Sequence, residues 1–150
     1  MEAFDMVVIG GGPAGSMAAL TAADKGLSVL MVERDSVVGS PVRCAEGVDD
    51  KGLREFFEPD PAWISATITG YSLIAPDSTV VDMNTNGYEG YILERLVFDR
   101  MISEKAAACG AAVMTGTEAV AMSGFSDGRR TVTLAGNGRS REVSAKIVVA

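Results

Sequence analysis

Residues Phe4–Ile9 (FDMVVI), Gly10–Gly15 (GGGPAG) and Ser16–Lys25 (SMAALTAADK) decide the fold. The first piece is a short apolar run rich in β-branched side chains, the pattern of a parallel strand buried on both faces. The last is built largely from Ala, Leu and Met, which favour a helix, and Gly26 follows where a left-handed C′ residue ends one. Leu27–Val32 (LSVLMV) is a second apolar strand, with Glu33 and Arg34 at its carboxyl end. Strand, glycine-rich turn, small-residue helix and strand within roughly 30 residues make one βαβ unit.

The spacing Gly10-x-Gly12-x-x-Gly15 suits the pyrophosphate of a dinucleotide. Gly10 permits the tight turn. Gly12 lets the backbone approach the pyrophosphate without a Cβ in the way, and Gly15 lets the helix pack close to the strand. The helix N-terminus then offers unpaired N–H groups and partial positive charge to the anion. The competing reading is a purely structural glycine turn; its position between a strand and a helix favours the nucleotide. Glu33 ends the second strand, where a carboxylate accepts hydrogen bonds from an adenosine ribose. Its alternative is a solvated surface acid. A carboxylate there repels a 2′-phosphate, which argues against NADP at this turn. These residues leave FAD and NAD both open.

The next stretch does not repeat the unit. Residues 35–48 (DSVVGSPVRCAEGV) carry Gly, Ser and Pro punctuation and read as a long loop. A short helix is expected around Asp50–Phe57, ended by Pro59 and Pro61. Thr67–Ala75 and Thr79–Met83 alternate and predict a strand pair turning at Pro76-Asp77-Ser78. Glu94–Cys109 predicts a helix with Leu93, Val97 and Met101 on one face and Phe98 and Ile102 beside it. Ala111–Thr115 is a further short strand. Segments 117–124, 129–135 and 139–143, with turns at Ser126-Asp127-Gly128 and Gly136-Asn137-Gly138, predict a β-meander. Lys146–Ala150 returns to a buried parallel strand.

Composition narrows the function classes. The net charge of -7 disfavours wholesale nucleic-acid binding, which needs a basic surface. No apolar run approaches the ~20 residues of a membrane span, and the start lacks the basic n-region of a signal peptide. Cys44 and Cys109 lie far apart and form no CxxC pair. With no histidine, neither a His-based triad nor a His-ligated zinc site can form from this chain. A reducing, cytoplasmic setting is expected. The chain stops on AKIVVA, a core strand without a turn or polar tail, so a longer protein and an incomplete domain are expected.

An insertion of about 60 residues after the second strand, then a meander before the returning strand, resembles the glutathione-reductase type of FAD domain. The expected fold is therefore α/β. It is an FAD-binding Rossmann fold with a parallel sheet and a three-stranded β-meander crossover, with an inserted strand pair from the substrate region. Residues 1–150 make the FAD-binding domain, and 60–93 are an insertion contributing to the substrate side.

GGGPAGSMAAL, ERDSVVGSPVRCAEGV and GYILERLVFDRMISEKAAACGA together resemble the geranylgeranyl reductases, above all the archaeal digeranylgeranylglycerophospholipid reductases. GSPVRCAEGV is the most specific of these stretches. The resemblance implies FAD as cofactor and saturation of isoprenoid double bonds in membrane-lipid precursors by hydride from reduced flavin. It implies a prenylated lipid as partner, with nicotinamide or ferredoxin as electron donor, and peripheral membrane contact through the substrate. It puts Gly10, Gly12, Pro13, Ala14 and Gly15 at the pyrophosphate, Glu33 on the ribose with Arg34 beside it, and Arg43, Cys44, Ala45 and Gly47 by the flavin. Arg95 falls at the FAD phosphate or ribityl region, and Ala119 and Val120 where backbone meets adenine. Cys44 is the candidate proton donor.

Simpler readings stand beside these. Arg95 pairs with Asp99 at i,i+4 on the helix surface. Cys44 is a small buried hydrophobe, although it sits in a polar loop between Arg43 and Glu46. Cys109 is expected in the core. Tyr88 and Tyr91 line a lipid site or merely pack. Two other functions use the same scaffold: a flavin monooxygenase of the p-hydroxybenzoate-hydroxylase-like type, and a non-catalytic electron-transfer module.

Overall fold

The computed structural model describes residues 1–44, 46–84, 90–136 and 138–150. The elements run β1 (Glu2–Ile9), α1 (Pro13–Asp24), β2 (Val29–Val32), β3 (Gly47–Asp49), α2 (Asp50–Arg54), β4 (Ile64–Ile68) and β5 (Gly70–Ile74). They continue with β6 (Val80–Asn84), β7 (Gly90–Leu93), α3 (Arg95–Ala108), β8 (Ala112–Met114), β9 (Glu118–Met122), β10 (Arg130–Gly136) and β11 (Arg139–Val149). Two compact units emerge: residues 1–42 with 98–150, and residues 43–97.

The first unit is built on a six-stranded sheet of order β8-β2-β1-β11-β10-β9. β8, β2, β1 and β11 are mutually parallel, while β11, β10 and β9 form the antiparallel meander. The expected α/β fold with a meander crossover is what the chain forms. One detail differs: the third meander strand and the returning strand are a single element. Residues Arg139–Ala145 of β11 pair with β10, and Val143–Val149 run alongside β1. No Gly, Pro or turn dipeptide interrupts 139–149, so the strand changes partner without breaking.

Two apolar layers hold this unit. Leu30 and Val32 of β2 pack with Phe4, Val7, Val132, Leu134, Val143 and Ala145 on the meander side. Val29 and Met31 pack with Val8, Ala19, Ala22, Ala23, Ala106 and Ala111 on the helix side. Period-2 alternation delivers each β2 side chain to one layer or the other, which is why LSVLMV reads as apolar throughout.

Helix α1 starts three residues earlier than expected, because Pro13 at N1 has its φ pre-set for a helix and Gly12 is the N-cap. Both long helices end in the same motif. At α1, Gly26 (φ 80°) donates to Ala23 carbonyl and Leu27 to Ala22 carbonyl. At α3, Gly110 (φ 103°) donates to Ala107 carbonyl and Ala111 to Ala106 carbonyl, a Schellman closure. That closure corrects the reading of Cys109. The thiol sits in the turn that leaves the helix and is exposed, while Ala111, two residues on, returns to the core. The buried face of α3 is also rotated from the expected one: Phe98, Ile102 and Ala106 are buried, with Asp99 and Ser103, while Val97 is exposed.

The second unit contains a three-stranded sheet, β3-β7-β4, and a separate hairpin, β5-β6. The expected continuous strand over Thr67–Ala75 is two strands. β4 ends at Ile68 and pairs with β7, whereas β5 begins at Gly70 and pairs with β6. The four-residue β7 was hidden as the lead-in to the helix. In the first unit, Ser126-Asp127-Gly128 forms a tight turn with Asp127 and Gly128 at positive φ. In the second expected turn Asn137 lies outside the described residues.

Candidate functional site

The turn after β1 is built by three glycine-dependent constraints of different kinds. Gly10 has φ 106°, a conformation reserved for glycine, and its N–H donates to Val32 carbonyl at 2.8 Å. A Cβ on Gly15 would overlap the carbonyl oxygen of Gly10, so glycine is what lets α1 close onto β1. A Cβ on Gly11 would press on the Glu33 Cβ and a Val38 methyl, both at 3.2 Å. Gly12 differs from all three. Its φ of -67° and ψ of 179° suit any residue, and a Cβ there would meet nothing within 4 Å. Beyond a mild preference for glycine at an N-cap, contacts among the described residues give no reason for glycine at position 12.

Pro13, Ala14 and Gly15 form the first turn of α1. Proline supplies no N–H, the N–H groups of Ala14 and Gly15 have no acceptor within the helix, and no acidic side chain occupies that turn. Such N–H groups and the positive end of the helix dipole favour an anion at this end of the helix.

Glu33 joins the turn to the end of β2. Its Oε2 accepts from Gly11 N–H at 2.7 Å and its Oε1 from Asp35 N–H at 2.9 Å. Its backbone is held as well, the N–H donating to Met114 carbonyl and the carbonyl accepting from Thr117 N–H. The side chain is half-buried, so Glu33 is not the solvated surface acid of the alternative reading. Each carboxylate oxygen keeps a further lone pair for a hydroxyl donor. Arg34, next in the chain, is exposed.

Two contributors were missed by sequence reasoning. Gly11 occupies an "x" of the glycine motif, yet it supplies the N–H that orients Glu33. Ser16 is fully buried, and its hydroxyl donates to Gly11 carbonyl at 2.9 Å, which holds the peptide on the far side of Gly11 from the N–H that meets Glu33. The run of three glycines was the available signal for the first; a serine in an otherwise apolar helix face was the signal for the second.

Ala119 and Val120 lie on β9, the edge of the meander. The register passes from Thr133↔Ala121 to Leu134↔Ala119, so Val120 is the extra residue of a β-bulge. A bulged residue leaves its backbone groups out of the ladder. Ala119 is half-buried against the core and Val120 exposed.

The remaining candidates belong to the second unit. Arg43 and Cys44 are exposed, Gly47 pairs with Ile92 at the start of β3, and Arg95 opens α3 half-buried. Cys44 is thus not the small buried hydrophobe of its alternative reading. Glu46 takes a left-handed φ of 63°, and its carbonyl accepts from Leu93 N–H at 3.0 Å, which pins the carboxyl end of this loop to β7. Ala45 and Tyr88 lie outside the described residues. Tyr91 is buried, and its hydroxyl donates to Asp50 Oδ1 at 2.6 Å; Arg54 donates to the same carboxylate at 2.8 Å. Tyr91 therefore packs and bonds within its own unit. The Tyr91 hydrogen bond, with Arg54, holds the Asp50 carboxyl below its ordinary range, and Asp50 raises the Tyr91 phenol. Among the described residues no cluster of His, Cys, Asp or Glu forms a metal site, and no helix is long and apolar enough to cross a membrane.

Comparison with known proteins accords with this geometry. The FAD dependent oxidoreductase family model matches residues 5–54, the span from β1 through α2. The chain is 49% identical, over 98% of its length, to digeranylgeranylglycerophospholipid reductase of Methanosphaerula palustris. Among solved structures, a geranylgeranyl bacteriochlorophyll reductase-like protein of Thermoplasma acidophilum superposes with a TM-score of 0.88 at 34% identity over 99% of this chain. A p-nitrophenol 4-monooxygenase of Pseudomonas putida shares the fold, with a TM-score of 0.80 at 19% identity, over 99% of this chain and 40% of its own. This chain spans 38% of the length of the M. palustris reductase and 38% of the T. acidophilum chain.

Proposed function

We propose, from the likeness of the chain along its length to the M. palustris and T. acidophilum proteins, that the whole protein is an FAD-dependent reductase of isoprenoid lipids. It saturates the double bonds of prenylated membrane-lipid precursors. Gly12 is the observation that carries the cofactor part of this reading: its open, unstrained position needs glycine only if a pyrophosphate lies against it. The substrate class rests on the likeness to the M. palustris reductase.

The chain's residues divide the work. The N–H groups of Ala14 and Gly15 hold the pyrophosphate, Glu33 accepts from the ribose hydroxyls, and the bulged backbone at Val120 meets the adenine edge. Arg34, Arg43, Gly47 and Arg95 complete the cofactor contacts, and residues 60–93 contribute to the substrate side. FAD, when bound and reduced, would supply the hydride for one carbon of the alkene. The Cys44 thiol supplies the proton to the other carbon. An isolated alkene has no carbonyl to polarise, so orientation and water exclusion, not an oxyanion hole, are what the site must provide. The electron donor is a nicotinamide or a ferredoxin, and the protein meets the membrane peripherally through its substrate.

Anaerobic mixing of the reduced whole protein with a geranylgeranyl lipid tests this directly. Flavin reoxidation with formation of the saturated chain is expected. Oxygen consumption with an aromatic substrate and no lipid turnover would instead identify a monooxygenase. Cys44→Ser should keep FAD but slow single-turnover reoxidation, because a hydroxyl is a poorer proton donor than a thiol. Equal rates in Cys44→Ser and wild type would remove the thiol from the chemistry.

A further inference from the structure

Between the meander and edge strand β8 of the first unit lies a cleft of about 570 Å³, lined by Met114, Thr117, Leu134, Gly136, Arg139 and Arg141. Its volume falls within the roughly 300–1,000 Å³ of small-molecule sites. Register explains its character. Val132 pairs with Val143, Leu134 with Arg141, and Gly136 with Arg139, and alternation puts all three pairs on the core-facing side of the meander. Moving outward, that row changes from buried valines to a buried leucine beside one guanidinium, and then to a glycine beside another. Glycine at 136 is forced, since a Cβ would overlap the Gly116 carbonyl oxygen.

The charge of this region runs against that of the chain. The cleft's lining carries Arg139 and Arg141 and no acidic residue, in a protein of net charge -7. Arg141 has a loose partner in Glu2 at 3.6 Å and touches the Met114 sulfur. Among the described residues Arg139 faces no carboxylate within ion-pair distance. We propose that this cleft binds a small organic phosphate. Its apolar body lies on Met114, and its phosphate is clasped by Arg139 and Arg141. The cleft shares no lining residue with Gly10–Gly15 or Glu33, and it approaches that site through Thr117, whose N–H donates to Glu33 carbonyl at 2.9 Å. A nucleotide and an isoprenyl phosphate both present this chemistry.

Calorimetric titration of the FAD-loaded whole protein with ADP, geranyl phosphate and inorganic phosphate tests the assignment. One of the two organic phosphates should bind saturably, and its identity names the source; inorganic phosphate, lacking the apolar body, should bind more weakly. Arg139→Gln removes a side chain with no described partner and should leave folding and flavin absorbance intact while weakening binding at least about tenfold, as loss of a charge-assisted hydrogen bond requires. The Arg139→Gln/Arg141→Gln double variant should abolish binding. Absence of saturable binding by either organic phosphate, or unchanged affinity in both variants, overturns the proposal. So does binding that appears only after FAD is removed, which would make the cleft part of the cofactor's own site.

Discussion

The glycine turn and the β5–β6 hairpin are both short, regular pieces of backbone, yet their side chains answer to different things. In the turn, Gly10, Gly11 and Gly15 are each explained by an atom or dihedral of this same chain, and only Gly12 is not. In the hairpin, register pairs Tyr71 with Met83 and Leu73 with Val81, so one face is an unbroken apolar ladder; all four residues are exposed. The opposite face carries Ser72 hydrogen-bonded to Asp82, next to the exposed apolar pair Ile74 and Val80. A two-stranded ribbon is marginal without something covering its apolar side. In both places the contacts among the described residues leave the choice of side chain unexplained. At Gly12 this is one missing Cβ; on the hairpin it is an entire face.

The largest expected effect separates two glycines three residues apart. Gly15→Ala drives a methyl into the Gly10 carbonyl and should cost on the order of 3 kcal/mol of stability, visible as a lowered thermal midpoint with or without cofactor. Gly12→Val should lower the apoprotein's midpoint only by what a poorer N-cap costs, far less than Gly15→Ala does, and abolish FAD binding. Full FAD retention in Gly12→Val would break the contrast, because that position would then be glycine for no physical reason.

Glu33 lies between those extremes, being bound by the chain and available to a ligand. Glu33→Ala should weaken FAD binding by about 1–3 kcal/mol, read by flavin fluorescence. It also frees the N–H groups of Gly11 and Asp35, so Glu33→Gln, which keeps an acceptor, should fall between wild type and alanine. Unchanged affinity in Glu33→Ala would reduce this carboxylate to a brace for the turn.

The hairpin face gives the next test. In the whole protein, Leu73→Thr keeps strand propensity but removes apolar bulk, and should cost about 1.5–3 kcal/mol if the ladder is covered. Ser72→Ala, on the opposite face, removes no apolar bulk and should cost far less. Equal, negligible losses in a denaturant titration would mean that the ladder stays in water and that the analogy with Gly12 fails.

What was legible in the sequence follows the same division. The β1–α1–β2 unit could be read because backbone geometry demands particular residues at Gly10, Gly15 and Gly26, and those demands are written one residue at a time. The parallel strands and the meander could be read from uninterrupted apolar runs and turn dipeptides. The corner at Thr69 could not, because period-2 alternation continues across it while the chain changes sheets. The face of α3 was misjudged because Leu93, Val97 and Met101 form as good an apolar row as Phe98, Ile102 and Ala106, and only tertiary packing chooses between them. Cys109 was misplaced for a local reason: an apolar context, AAACGAA, conceals a Schellman turn that swings one residue outward. Gly11 and Ser16 were passed over because their role is to orient another residue, a relation that spacing does not encode.

The smallest expected effect concerns a cluster that no ligand should touch. Asp5 on β1 accepts from Lys146 Nζ at 2.7 Å and from Ser28 N–H and hydroxyl at 3.0 and 2.8 Å, tying β1 to β11 and to the entry of β2. The Lys146 hydrogen bond, reinforced by the two from Ser28, holds the Asp5 carboxyl well below the usual carboxylate range. A carboxyl depressed in the folded state contributes stability that is present above its unfolded pKa, about 3.9, and lost as pH falls through the folded value. Asp5→Asn should therefore lower the thermal midpoint slightly at neutral pH, with the difference from wild type narrowing below about pH 4. Lys146 is exposed, so salt should shrink the neutral-pH difference further. FAD affinity should not change at any pH where both proteins are folded. A change in FAD affinity in Asp5→Asn would show that the strand layer and the glycine turn are coupled, and that the first unit is less self-contained than its internal contacts make it.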